Sequence, residues 1–96
     1  MERYTKWKDV SLIVSSAHRK KVLEKVQSPR MPTTLSKELE INKAHISRAL
    51  KQLSERKLIE CKNPETKKGR IFEITAYGKK ILKEAESVYG KKSLIR

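Results

Sequence analysis

The spacing of apolar residues changes period along this chain, and the changes mark its elements. Over residues 5–27, Val10, Ile13 and Val14 fall at i, i+3 and i+4, and Val22, Leu23 and Val26 continue a helical spacing. This predicts helix with a break near Ser15-Ser16, where Ser16 can cap the second piece. Gln27 to Pro32 contains two prolines, which fix φ and push their predecessors toward extended backbone, so at most a one-bridge strand fits there. A second helix is expected from Thr33, its hydroxyl satisfying a first-turn amide, through Leu35 and Leu39 to about Glu40. After Ile41, Asn42 is placed to cap a third helix, 43–55. There Ile46, Ala49, Leu50 and Leu53 make an inner stripe, while Lys43, His45, Ser47, Arg48, Lys51 and Gln52 occupy the other face.

From Leu58 the period shortens. Leu58 to Lys62 and Arg70 to Ile74 read as strands around Asn63-Pro64-Glu65-Thr66-Lys67-Lys68-Gly69, which is turn chemistry throughout. Lys67, Lys68 and Arg70 fall at the tip and flanks of this hairpin. Thr75 then caps a last helix, 76–89, with Ile81, Ala85, Val88 and Tyr89 on its apolar stripe and Leu82 beside it. The tail after Gly90 is expected to fray. The expected fold is mainly α with a small β-hairpin: one domain over residues 1–96, with a helix-turn-helix at 33–56, a hairpin wing at 58–75 and a C-terminal helix at 76–89.

Charge sharpens this picture. Lys and Arg number 24 against 11 Asp and Glu, a formal net charge of +13 on 96 residues. Such an excess repels itself in a compact state, and a polyanionic partner is its usual reason to persist. Two helices joined by a short turn, the second apolar inside and basic outside, can present that second helix to a major groove about 12 Å wide. The basic hairpin behind it suits phosphates or an adjacent minor groove. Arg48 is the foremost candidate for a base contact, since a guanidinium pairs bidentately with guanine. Its alternatives are a phosphate contact or an i, i+4 pair with Gln52. His45 reads a base, bonds a phosphate or stays exposed, and Ser47 bonds a phosphate or its own helix. The run Arg19-Lys20-Lys21 reads as a solvated face away from this unit.

Catalysis finds no footing. Gly69, Gly78 and Gly90 are isolated, so no phosphate-cradling loop forms. His18, His45 and Cys61 are too few and scattered for a zinc site, and Asp9 is the lone aspartate. No metal, cofactor or enzyme activity is expected. Cys61 beside Lys62 reads as a small core or edge residue in preference to a redox thiol. A single cysteine, a polar start MERYTKWKDV and no apolar run approaching the roughly 20 residues of a membrane span point to cytoplasm or nucleoid.

Residues 35–53, with Leu58-Ile59-Glu60 and the run Gly69 to Gly78, resemble winged helix-turn-helix transcriptional regulators, specifically the small archaeal-type proteins of the MarR-like group. The His45-Ile46-Ser47-Arg48-Ala49-Leu50 core and the Thr75-Ala76-Tyr77-Gly78 start of the last helix together carry that resemblance, which spans roughly residues 10–88. It implies that Lys43, Ala44, His45, Ser47 and Arg48 face the groove, that Lys51 and Thr33 or Thr34 meet phosphates, and that Arg70 belongs to the wing. Glu40 and Lys57 stand where the family usually has glycine. The resemblance implies a sequence-specific regulator of transcription, read as a repressor, that binds double-stranded DNA. RNA binding and a protein-interaction role remain the alternatives. Trp7, the first segment and Val88 or Tyr89 make a homodimer the preferred state over a monomer, and a small-molecule effector is left open.

Overall fold

A computed structural model describes residues 2–95, with side chains described for 7–87. Among the described residues, five helices and one hairpin follow in the order α1 (Glu2–Val14), α2 (Ala17–Lys25), α3 (Pro32–Leu39), α4 (Lys43–Glu55), β1 (Ile59–Cys61), β2 (Phe72–Ile74) and α5 (Ala76–Ile95). Mainly α with a two-stranded antiparallel sheet is therefore the observed class. Among the described side chains the periodic stripes turn inward. Val10 and Ile13 of α1, Val22 and Leu23 of α2, Leu35 of α3, the four-residue stripe of α4, and Ile81, Leu82 and Ala85 of α5 join one buried cluster.

Local chemistry sets the boundaries. Ser16 ends the break between α1 and α2, its side chain accepting from the Arg19 amide at 3.3 Å. Asn42 caps α4 by accepting from the Ala44 amide at 2.7 Å, and Thr75 caps α5 by accepting from the Gly78 amide at 2.9 Å. The expected cap at Thr33 is overturned. α3 starts one residue earlier at Pro32, whose fixed φ and missing N–H suit a first helical position, and Met31 precedes it without a side-chain cap bond. At the other end α5 runs to Ile95 instead of fraying after Gly90, because one glycine inside a helix costs only about 1 kcal/mol. The side chains of Val88 and Tyr89 lie outside the described residues.

The strands are shorter than the 58–62 and 70–74 expected. They pair Ile59 with Ile74, Glu60 with Glu73 and Cys61 with Phe72. The Lys62 amide donates one further backbone bond to the Ile71 carbonyl at 2.7 Å, and beyond it a side chain replaces the ladder: Asn63 Oδ1 accepts from the Ile71 amide at 2.7 Å, and its Nδ2 donates to the Gly69 carbonyl at 3.1 Å. Arg30, between the two prolines, forms a one-bridge strand, the most that segment is expected to admit, exchanging backbone bonds with Phe72. The wing is thus tied to the helix-turn-helix as well as to itself.

Two close approaches fix α5, one against the base of the hairpin and one against the other helices. A Cβ on Gly78 would lie 2.0 Å from the Leu58 carbonyl oxygen, so only glycine lets α5 cross there. Asp9, 1% exposed, takes a hydrogen bond from the Tyr77 hydroxyl and an ion pair from Arg56 Nε, joining α1, the end of α4 and α5. Burial and the Asp9 hydrogen bond push the Tyr77 phenol up to about 12, and the same carboxylate raises Arg56 through hydrogen bonding and charge.

Candidate nucleic-acid interface

The interface begins with the tight turn between α3 and α4. Glu40 leaves α3 in the left-handed region, φ 55° and ψ 46°, and Lys57 does the same after α4 at φ 62°. In both places the next residue's amide bonds back five positions, Ile41 to Ser36 at 3.2 Å and Leu58 to Leu53 at 3.0 Å. This is the closure that usually selects glycine. The two non-glycine positions noted in the sequence therefore do require left-handed backbone, and the chain closes both turns regardless. The Ser36 hydroxyl, donating to the Ile41 carbonyl at 2.6 Å, adds a further clamp at the first.

Held this way, α4 buries Ile46, Ala49, Leu50 and Leu53. Lys43, Ala44, His45, Ser47, Arg48 and Lys51 are all exposed. Thr33 is exposed at the start of α3, and Thr34 is half-buried. Lys67, Lys68 and Arg70 project from the wing, which is shaped by a left-handed Gly69 at φ 70° and by Arg70 Nε donating to the Thr66 carbonyl at 2.8 Å. Wing and helices enclose a cleft of about 400 Å³. Thr33, Ser47, Lys67, Lys68 and Arg70 stand on its border, with Leu50 and Phe72 among its apolar lining. The fold thus brings residues 33, 47, 67, 68 and 70 to one flank of α4. His45 and Arg48 fall on the other.

That second flank corrects two readings. Gln52 does not pair with Arg48; it accepts from Arg19 Nη1 at 2.9 Å. Arg19 also donates from Nε to the Leu12 carbonyl at 2.7 Å and from Nη2 to the Ser15 hydroxyl at 3.0 Å. The basic run starting at Arg19 therefore does not lie away from the recognition helix: its first member braces it. Lys20 is paired with Glu24 along α2, while Lys21 keeps the solvated position expected. His18, passed over in the sequence except as a metal ligand, faces His45 with ring centroids 5.0 Å apart. Only the packing of α2 on α4 reveals this, because nothing in the local periodicity of residues 17–25 points across to residue 45.

Among the described residues no group of three or more His, Cys, Asp or Glu is placed to hold a metal ion. No helix among them is long and apolar enough to cross a membrane. Cys61 is partly buried, its sulfur 3.6 Å from Asn63 Oδ1.

Comparison with known proteins places these elements in context. The model of the family described as the HVO_A0261 N-terminal domain matches residues 7–92. No curated protein sequence matches the chain. Among solved structures, a MarR family transcription regulator, SP03579, is similar with a TM-score of 0.73 and 20% identity, covering 92% of this chain and 60% of that one. The adhesin competence repressor of Streptococcus pyogenes is similar with a TM-score of 0.63 and 22% identity, over 83% of this chain and 61% of its own. A mutant MarR from E. coli, solved in complex with operator DNA, gives 0.69 and 23%, over 94% of this chain and 69% of its own. The fold is that of the MarR winged helix, and the chain spans about 60% of the length of the first two structures.

Proposed function

The chain belongs to the HVO_A0261 N-terminal domain family, and from that premise we propose that residues 1–96 act as a sequence-specific, double-stranded-DNA-binding regulator of transcription with no catalytic step. The observation that carries this reading is the state of α4. Its apolar side is consumed by the core, and on its outer side Lys43, Ala44, His45, Ser47, Arg48 and Lys51 are exposed, with Gln52 half-buried against Arg19. In this reading α4 enters the major groove and Arg48 reads a base edge. Lys51, Thr33 and Thr34 hold phosphates, and Lys67, Lys68 and Arg70 take the flanking backbone or minor groove. That the similar E. coli protein was solved with operator DNA supports duplex DNA as the partner. Trp7, 64% exposed on α1, supports assembly as a homodimer that reads two half-sites. Repression in the cytoplasm is the role this architecture fits.

Fluorescence-anisotropy titration of a duplex library against an equivalent RNA, with the retained DNA sequenced, tests the proposal. Arg48→Ala is expected to flatten discrimination between selected and random duplexes by about tenfold or more, the worth of one good base pairing. Lys67→Ala is expected to weaken both alike. Equal losses for both variants on both duplexes would refute this division of labour. Tighter binding to RNA than to duplex DNA would sink the function itself.

A further inference from the structure

The backbone contacts assigned above to α3 and the wing stand on one flank of α4. Thr33, Lys67, Lys68 and Arg70 border the same cleft as Ser47 and Leu50. A helix seated in a major groove has a phosphate backbone on both sides, and the second must also meet protein or water. On the flank away from the wing, α2 and α4 meet in a separate cleft of about 190 Å³. His18 and Arg19 form one wall; His45, Arg48 and Gln52 form the other. No carboxylate is among the residues that line it.

The chemistry of this cleft favours a small anion. His18, His45 and Arg48 are exposed, with free reach into it, and an imidazole donates an N–H in either protonation state. Arg19 differs: three of its donors are spent on Leu12, Ser15 and Gln52. Its positive charge is therefore fixed in place before any ligand arrives, which removes the ordering cost a free side chain would add. We propose that this cleft seats a backbone phosphate of the DNA strand opposite the wing, with His18 as its donor on α2. The inference rests on the DNA-binding reading above. α2, buried behind the helix-turn-helix in its middle, thereby becomes a second anchor at its N-terminal end, and α4 is gripped from both flanks. Gln52, held by Arg19, supports α4 and reads no base.

The test is anisotropy titration of selected and random duplexes with the wild-type chain and with His18→Ala, His18→Glu and His18→Lys, thermal melts confirming that each folds. His18→Ala should weaken both duplexes about tenfold or more, the effect of one lost charge-assisted hydrogen bond. His18→Glu should weaken them further, and His18→Lys should restore binding to within about twofold of wild type, since a compact cation also serves a phosphate. A scan of single methylphosphonates through the selected duplex should find a position, on the strand away from the wing, that weakens wild type but not His18→Ala. Unchanged binding by His18→Ala and His18→Glu, with wild type binding well, overturns the cleft and leaves the DNA reading standing. A loss confined to the selected duplex makes His18 a base reader and also overturns it. Wild type binding no duplex overturns both.

Discussion

Single residues here show what the backbone tolerates for the sake of the turns that aim α4. Glu40 and Lys57 occupy left-handed backbone that costs an L-residue on the order of 1 kcal/mol. Among the described residues neither side chain makes a bond that repays this, so Glu40→Gly and Lys57→Gly should each raise the melting temperature by about 4–8 °C, less whatever flexibility glycine adds to the unfolded chain. Calorimetry checks it, and a lowered melting temperature would mean that strain at the turn is offset by contacts of the native side chain. Both positions stood out in the sequence, but as departures from a family habit. That their φ is positive is a property of the closed turn, which no propensity of Glu or Lys foretells.

Between elements, the decisive link is Asp9. It is the only aspartate, it lies on α1, and it ties together the end of α4 and the first turn of α5. Arg56 is 40% exposed, whereas Asp9 is almost wholly buried. Removing Arg56 leaves a buried carboxylate with the Tyr77 hydroxyl but no counter-charge, and Arg56→Met should destabilise by about 1–2 kcal/mol, solvent at the exposed Arg56 end screening part of the pair. The double variant with Asp9→Asn should cost less than Arg56→Met alone; chemical denaturation of the three chains decides this, and additive losses would deny the coupling. Tyr77 adds a pH dependence. An unfolded phenol titrates near 10 and the folded one near 12, so the native state holds the proton longer. Its contribution is fully present below pH 10 and is lost as pH rises toward 12. Tyrosinate absorbance should show a late step that Tyr77→Phe removes. None of this network was legible in the sequence, where Asp9 is an acid on an amphipathic helix; residues 9, 56 and 77 meet only when three helices pack.

At the scale of the whole molecule, net charge dominates. In the proposed DNA-binding role, a formal +13 with basic residues on both flanks of α4 points to phosphate neutralisation as the main source of affinity. The logarithm of the binding constant should fall linearly with the logarithm of salt, losing about 0.9 per phosphate contacted. Lys67→Ala, which removes one phosphate-facing cation of the wing, should flatten the slope by about one such unit. Titrations between low and moderate salt measure it, and a flat response would argue for a partner other than nucleic acid.

The sequence alone determined the order of elements, the caps at Ser16, Asn42 and Thr75 and the inner stripe of α4. Each depends on residues within a turn or two of one another, where period and capping chemistry act directly. The tertiary structure decided that Lys67, Lys68 and Arg70 serve one flank of α4 and Arg19 and Arg48 the other, that Arg19 rather than Arg48 holds Gln52, and that His18 faces His45. Those pairings join positions 27 to 33 residues apart. They are set by how the buried faces of α2 and α4 meet, and a pattern of apolar residues records only that each helix has a buried face.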